Sequence, residues 1–335
     1  MRDLLPQLKQ WLDAGQPFAL ATVISTWGSA PRRVGSNMAI RHDQAILGSV
    51  SGGCVEGVVI EQAAKVLKTG KPELLHFGVS DETAWDVGLA CGGEIDVYVQ
   101  PAVPTILNEI IARIEQEEYV AYAFPLDWQT DGNHYLLDAQ GIGYPQQDST
   151  LTELQAAQNV SARKPRILED VQGIRFFFNP MLPSPQLVII GGVQIAQALT
   201  QLARLMHFHP IIIDPRKAFL TPERFPETED YYQEWPGQAF EKLDLGSVTA
   251  VVSLTHDPKI DDPALLGALS SSAFYVGALG SRKTHAKRLE RLEAAGASPE
   301  ALARIHAPIG LDIKATNPEE IALAIMAQVV AVYRS

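Results

Sequence analysis

Sulfur and positive charge are both scarce in this chain. Its 335 residues include only 2 cysteines, which excludes a disulfide-stapled secreted scaffold and points to a reducing, cytosolic setting. The 27 Lys and Arg residues face 39 Asp and Glu, leaving a formal net charge of −12. No basic stripe is available to displace counterions, so duplex nucleic acid is excluded as a partner. No run of about 18 apolar residues occurs, which argues against a membrane-spanning helix. Met1-Arg2-Asp3-Leu4-Leu5-Pro6 lacks the long apolar stretch and small-residue cleavage site of a signal peptide. The length allows two domains, each large enough to bury its own core.

What is present concentrates around the two thiols. Cys54 lies in Ser51-Gly52-Gly53-Cys54-Val55-Glu56-Gly57, and Cys91 in Gly88-Leu89-Ala90-Cys91-Gly92-Gly93-Glu94. A packing cysteine normally has bulky apolar neighbours. Each of these two adjoins a pair of glycines, which brings backbone N–H groups close to sulfur and leaves room for a ligand. Val55, Val58, Val59, Ile60, Ala63 and Val66 follow Cys54 at helical spacing. Cys54 is therefore expected in the first turn of that helix, where the dipole favours a thiolate. The alternative is a pair of structural thiols buried in tight turns, free or bridged.

The chain divides into two halves. Residues 1–180 mix β patterns with glycine turns: 18–25, 38–41, 45–50, 74–78 and 94–99, interrupted by a helix over about 55–68. A helical pattern over 103–118 and hairpin-like segments near 119–124, 134–138 and 175–178 follow. This order predicts an N-terminal α+β domain. Met181-Leu182-Pro183-Ser184-Pro185 reads as a stiff linker. Beyond it, over 186–335, continuous apolar runs such as Leu187-Val188-Ile189-Ile190 alternate with helical patterns. That alternation predicts a doubly wound, Rossmann-like α/β domain with strands buried on both faces. Asn317-Pro318-Glu319-Glu320 supplies a cap, a first-turn proline and two acids for a closing helix. That helix, Ile321 to Tyr333, is apolar on nearly every face, and pairing with a second copy as a homodimer would cover the excess.

Several motifs can bind ligands. Gly191-Gly192-Val193-Gln194-Ile195-Ala196 opens the α/β half, but Val193 occupies the glycine position at which a dinucleotide fingerprint lets pyrophosphate approach. Asp214 stands where a ribose-binding acid would be, with Arg216 beside it. Thr255-His256-Asp257-Pro258, with Asp261 and Asp262, reads either as a divalent-metal cluster or as turn and cap residues. Gly280-Ser281-Arg282 before a helix is an anion-site pattern. Arg282, Lys283, His285, Lys287, Arg288 and Arg291 form either that helix's solvated face or a local site for a phosphate or an acidic partner. Arg32 and Arg33, in a glycine loop after a strand, can clamp a phosphate or simply face water. The acids of Gly78-Val79-Ser80-Asp81-Glu82 can accept protons or cap a helix.

These segments resemble the XdhC/CoxI family, accessory proteins of bacterial xanthine dehydrogenase and related molybdenum hydroxylases. The resemblance runs through Gly28–Arg32, Gly48–Gly57, Gly78–Glu82 and Cys91–Gly93 in the first half. In the second it runs through Leu254–Pro258, Tyr275–Arg282 and His306–Ile313. It implies a cysteine-bearing N-terminal domain followed by a Rossmann domain. It also implies a maturation factor rather than a catalyst. Such a factor transiently binds molybdenum cofactor (molybdopterin), protects it while a cysteine desulfurase installs the terminal sulfido ligand, and hands it to the apo-hydroxylase. The family's Cys-Gly-Gly thiol, linked to cofactor binding, matches Cys91. The candidate cofactor-binding set is Cys91, Cys54, Gly52, Gly53, Gly92, Gly93, Arg32, Gly191, Asp214 and Arg282. Two departures stand out: Val193 and Gln194 replace a glycine and a histidine common in the family, and Lys314 replaces a glycine after Gly-Leu-Asp-Ile. A nicotinamide-dependent oxidoreductase using the Rossmann domain, and a hydroxylase-binding scaffold without a cofactor, are the alternative classes.

Overall fold

The computed structural model describes residues 1–29, 32–78, 93–126, 134–139, 143–144, 164–169, 173–226 and 230–335. The chain forms two units, Met1–Pro183 and Ser184–Ser335.

The first unit is built on β1 (Phe18–Trp27), whose residues are buried over most of its length. Side chains alternate across a strand, so Ala19, Ala21 and Val23 join one core while Phe18, Leu20 and Ile24 join another. Burial on both sides makes β1 read as a continuous apolar run. It is flanked by β2 (Asn37–Arg41), β3 (Ile46–Gly48), β4 (Glu73–Phe77) and β5 (Glu94–Pro101), in the spatial order β3-β2-β1-β5-β4, every neighbouring pair antiparallel. Helix α2 (Glu56–Thr69) lays Val59, Ala63 and Val66 on the Ala19–Ala21–Val23 face. The other face meets α1 (Leu5–Asp13), α3 (Pro104–Glu115) and a second antiparallel sheet. That sheet contains β6 (Val120–Pro125), β7 (Tyr135–Leu137), β8 (Gly143–Tyr144), β9 (Arg166–Glu169) and β10 (Arg175–Met181), in the order β8-β7-β6-β10-β9. Tyr98 of β5 stacks on Phe124 of β6, ring centroids 5.4 Å apart, joining the two sheets.

The second unit is the doubly wound domain expected from the sequence. Strands β11 (Gln186–Ile190), β12 (His209–Ile213), β13 (Tyr231–Tyr232), β14 (Thr249–Ser253), β15 (Tyr275–Ala278) and β16 (Ile305–His306) form one parallel sheet, ordered β13-β12-β11-β14-β15-β16. The order reverses between β11 and β14, so the ligand crevice of this architecture lies outside the carboxyl ends of those strands. Helices α4 (Gln194–Leu205) and α9 (Pro318–Arg334) cover one face, packing on Leu187, Ile189, Ile212 and Val252. Short α5 (Pro236–Phe240), α6 (Pro258–Leu269), α7 (Arg282–Ala294) and short α8 (Pro299–Leu302) lie between the other strands, and α6 and α7 pack on the opposite face.

Helix α9 starts as the sequence foretells. Asn317 Oδ1 accepts the Glu320 N–H at 2.8 Å, and the Glu320 carboxylate reaches back to the Thr316 N–H at 2.7 Å. Its apolar circumference, however, is used inside the unit: Ala322, Ile325, Met326 and Val329 are buried in the sheet–helix core. Among the described residues of α9, Leu323 is the exposed large apolar side chain, at 51%. Part of the apolar circumference is thus covered by α4 and the sheet, and Leu323 with the partly buried Ile321, Val330 and Val332 makes up the rest. If a second copy covers Leu323, Leu323→Asp is expected to halve the light-scattering mass of the chain; a mass that matches wild type removes the helix as an interface. Lys314 takes a φ of 61°, a left-handed conformation that favours glycine, which supplies a backbone reason for glycine at this position.

Candidate functional site

The N-terminal motifs are carried to one end of the first sheet. Trp27, at the end of β1, pairs with Glu94 at the start of β5; Gly48, ending β3, pairs with Met38 near the start of β2; Phe77, ending β4, pairs with Ile95. The loops beginning at Gly28, Gly48 and Gly78, and the one ending at Gly93, therefore leave or enter the sheet along the same rim. Gly93 is required by close approach: a Cβ there would lie 2.8 Å from the carbonyl oxygens of both Trp27 and Ser29. Cys91 and Gly92, immediately before it, lie outside the described residues, as do the acids of 79–82. Arg32 and Arg33 are exposed on this rim, and neither side chain has a partner among the described residues. Trp27, which ends β1 on the same rim, is 67% exposed.

The Cys54 loop differs from the sequence expectation. Helix α2 begins at Glu56 with Val55 as its N-cap, so Cys54 precedes the first turn, and it is exposed. The reason is that the helix supplies its own anion. Glu56 Oε1 accepts the N–H groups of Val50 (3.2 Å), Ser51 (2.9 Å) and Gly52 (3.0 Å) and the Ser49 hydroxyl (2.6 Å). Oε2 accepts the Gly53 N–H at 2.9 Å and the Ser51 hydroxyl. Ser51 Oγ in turn accepts the Cys54 and Val55 N–H groups, both at 3.0 Å. Gly52 and Gly53 take φ values of 83° and 122°, which turn their N–H groups onto one point.

Burial pushes the Glu56 carboxyl upward, but the Ser49 and Ser51 hydroxyls and the Ser51 N–H outweigh it and hold the group at about 2, against an ordinary 4.5. A folded-state value below the unfolded one gives stability that is full above about pH 4.5 and is lost as pH falls toward 2. Hydrogen-exchange protection factors at residues 50–53 are expected to follow that profile. Protection that stays flat down to pH 2 would show that the carboxylate does not close the loop.

At the carboxyl edge of the second unit, the expected ligand-facing carboxylate is internal. Asp214 is fully buried. Its Oδ2 accepts the Gly192 N–H and Arg216 Nη2, each at 2.8 Å, and its Oδ1 accepts the Arg216 N–H and Nε, each at 2.9 Å. No lone pair is turned to solvent, so a ribose contact by Asp214 does not fit this arrangement. Arg216 takes the outward position instead, its guanidinium 3.9 Å from the centroid of the Phe219 ring. The glycine turn is shaped by protein atoms: a Cβ on Gly191 would meet Thr255 Cγ2 at 2.5 Å, and one on Gly192 would meet the Phe219 carbonyl oxygen at 2.4 Å. Gly192→Ala is expected to cost about 1–3 kcal/mol in urea unfolding; a loss within about 0.5 kcal/mol, the usual range of a neutral substitution, would show that the turn yields.

The remaining candidates on this edge separate. Asp257 Oδ1 caps α6 by accepting the Lys259 N–H at 2.9 Å, the turn-and-cap reading of that motif, while His256 is exposed. Asp261 is buried and accepts the Ser253 hydroxyl at 2.6 Å and the Thr255 hydroxyl. Asp262 holds Arg291 through two bonds, at 2.6 and 2.9 Å. Among the described residues no group of three or more His, Cys, Asp or Glu side chains is placed to hold a metal. Arg282 is exposed at the start of α7, after Ser281, whose Oγ caps the helix by accepting the Thr284 N–H at 3.2 Å. The basic cluster is split: Arg288, 1% exposed, turns inward to donate to the Leu279 carbonyl at 2.9 Å, with Asp261 Oδ2 3.6 Å away. A shallow depression of about 390 Å³, lined by residues including Phe240, Leu245 and Ser272, lies at the opposite, amino edge of the sheet.

Sequence reasoning missed the inward roles of Glu56, Asp261 and Arg288. Glu56 left one signal, an acid opening a helix directly after a glycine run. The burial of Arg288 left a faint one, its i, i+4 spacing from Leu292 within an otherwise charged stretch.

Fold and site define a two-unit protein: a glycine-loop rim bearing a thiol on an antiparallel sheet, and a Rossmann domain. Residues 11–78 match the XdhC and CoxI family, and residues 187–329 match the XdhC Rossmann domain. The chain belongs to the XdhC and CoxI family. It is 28% identical over 335 residues to the molybdenum cofactor insertion chaperone PaoD of Escherichia coli K12, covering 99% of this chain and 88% of that protein. It is 27% identical to a probable xanthine dehydrogenase subunit of Bacillus subtilis 168, covering 98% and 97% of the two chains. A crystal structure described as a xanthine dehydrogenase from Bacillus halodurans shares the fold, with a TM-score of 0.73 at 23% identity over 98% of this chain and 95% of that one. Among the described residues, no helix is long and apolar enough to cross a membrane.

Proposed function

We propose that this chain is a molybdenum cofactor chaperone that carries the cofactor as transient cargo and delivers it to a molybdenum hydroxylase apo-enzyme. The observation that carries the reading is the shared rim of the first sheet, where the exposed Cys54, the unpartnered Arg32 and the Gly93 strand entry next to Cys91 come from separate loops. The donor set suits such cargo. A soft thiolate matches molybdenum or sulfur chemistry, an exposed arginine matches the phosphate of the pterin, and glycine loops admit a bulky heterocycle. The full-length likeness to a cofactor insertion chaperone supports the same reading. Cargo held at such a rim stays accessible to a cysteine desulfurase, which would install the terminal sulfido ligand before transfer in the cytoplasm.

The test is molybdenum and pterin analysis of the chain purified from cells that make the cofactor. Both are expected at comparable, substoichiometric to stoichiometric levels; protein carrying neither overturns the reading in favour of a scaffold. The parallel strand order of the second unit supports a phosphate-bearing ligand at its carboxyl edge, with Arg216 and Arg282 outermost. Hydride transfer is disfavoured there, because the Gly192 N–H is already taken by Asp214 and Val193 stands at the pyrophosphate position. Adding NAD(P)H is expected to produce no loss of the reduced-nicotinamide absorbance.

A further inference from the structure

The six hydrogen bonds converging on one carboxylate concern a residue outside the candidate set. We infer that Glu56 is a positioning residue of the proposed cargo site: its carboxylate is the built-in anion that closes the Gly52-Gly53 loop and sets where Cys54 presents its thiol. This rests on the reading of the rim as a cofactor-carrying site.

Backbone N–H groups of four consecutive residues, Val50 to Gly53, point at Glu56, as do the hydroxyls of Ser49 and Ser51. A concavity of this kind ordinarily receives phosphate or another external anion. Here the chain fills it from the first residue of α2, so the glycine loop is a cradle for its own carboxylate rather than a phosphate loop. The link to the thiol is one residue long. Ser51 donates its hydroxyl to Glu56 and receives the N–H groups of Cys54 and Val55. Loss of the charge would free the Ser51 hydroxyl and four N–H groups together, and the Cys54 backbone would lose its anchor. Val50 and Val55 are anchored in the core, but Gly52, Gly53 and Cys54 between them are exposed and Gly53 has open space around its absent Cβ, so at the tip of the loop these bonds rather than side-chain packing set the backbone.

The experiment compares wild type, Glu56→Gln and Glu56→Ala by hydrogen exchange at residues 50–55 and by the rate at which a maleimide alkylates Cys54 in a Cys91→Ala background. In both variants exchange at 50–53 is expected to rise roughly 10- to 100-fold, the loss typical of charge-assisted hydrogen bonds, while protection in β1 and β5 is kept. In Glu56→Ala the vacated cradle accepts a small anion, so adding formate is expected to restore protection and return the alkylation rate toward wild type. A neutral additive of similar size, formamide, is expected to do neither. Protection at 50–53 that matches wild type in Glu56→Gln overturns the inference, as does a rise in Glu56→Ala that formate leaves unchanged. If Glu56→Ala does not fold, Glu56→Gln and Glu56→Asp decide it: the carboxylate of Asp is expected to keep more protection than the amide of Gln, and the reverse order overturns the inference. Molybdenum and pterin content of the same wild-type preparation tests the cargo reading separately, since an empty wild type leaves the exchange result intact.

Discussion

Asp261→Ala is expected to lower the unfolding free energy of the second unit by about 3–5 kcal/mol, the range for removing one partner of a buried ion pair. Asp261 and Arg288 are 2% and 1% exposed, and Asp261 is also the acceptor for the Ser253 and Thr255 hydroxyls. Burial pulls the Arg288 guanidinium down, and the carboxylates of Asp261 and Asp262 oppose that pull. Nε and Nη1 of Arg288 are buried without a partner, so the charge already depends on its neighbours for compensation. Without Asp261 it is left nearly alone in low dielectric. Arg288→Leu in the Asp261→Ala background is expected to recover part of the loss, because an apolar pair of fitting volume is often neutral in place of a buried ion pair. Urea unfolding of the four proteins of this cycle measures it; a single-variant loss below about 1 kcal/mol would mean the pair is solvated in solution.

In cells that make the cofactor, Cys91→Ala is expected to reduce the molybdenum and pterin retained on the chain by at least about tenfold, equivalent to about 1.4 kcal/mol of binding. Cys91 lies outside the described residues, so the expectation draws on its neighbours and on the family's Cys-Gly-Gly thiol. Gly92 follows it in the sequence, and Gly93, where β5 is entered, lies against the Trp27 and Ser29 carbonyls on the rim that also carries Arg32. The replacement removes a single sulfur beside small neighbours, Ala90 and Gly92, so thermal unfolding should stay near wild type. Folded Cys91→Ala with unchanged cofactor content would remove the role given to this thiol. Cys54→Ala in parallel tells whether the exposed thiol of the neighbouring loop shares the load.

The Rossmann unit was the more legible half. Leu187-Val188-Ile189-Ile190 announced a strand covered on both faces, and Asn317-Pro318-Glu319-Glu320 announced the helix start that the structure contains. Both signals are local, residing in a few consecutive residues. The N-terminal unit was legible element by element but not as two sheets. The segments at 120–125 and 175–181 carry no mark that they pair with each other across the intervening residues, which they do from Val120↔Met181 to Pro125↔Phe176. Helix α1 went unread, although Leu8 and Trp11 lie on one buried face.

The amino-acid sequence by itself determined the class of fold, the family motifs and the two thiols, because periodicity, turn residues and contiguous motifs are properties of neighbouring residues. It also left Cys54 in a helix turn, Asp214 facing a ligand and Arg288 in a basic cluster that read as a solvated face or an anion site. Only the tertiary structure decided otherwise, and each time for the same reason. Where a charged side chain ends up depends on which hydrogen-bonding groups the fold brings within about 3 Å of it. For Asp214 these come in part from Gly192, one strand away in the chain, and for Arg288 the facing carboxylate is on α6. Charge burial is a long-range property, and it is the tertiary structure that turned Asp214 and Arg288 inward and filled the Cys54 loop with the carboxylate of Glu56.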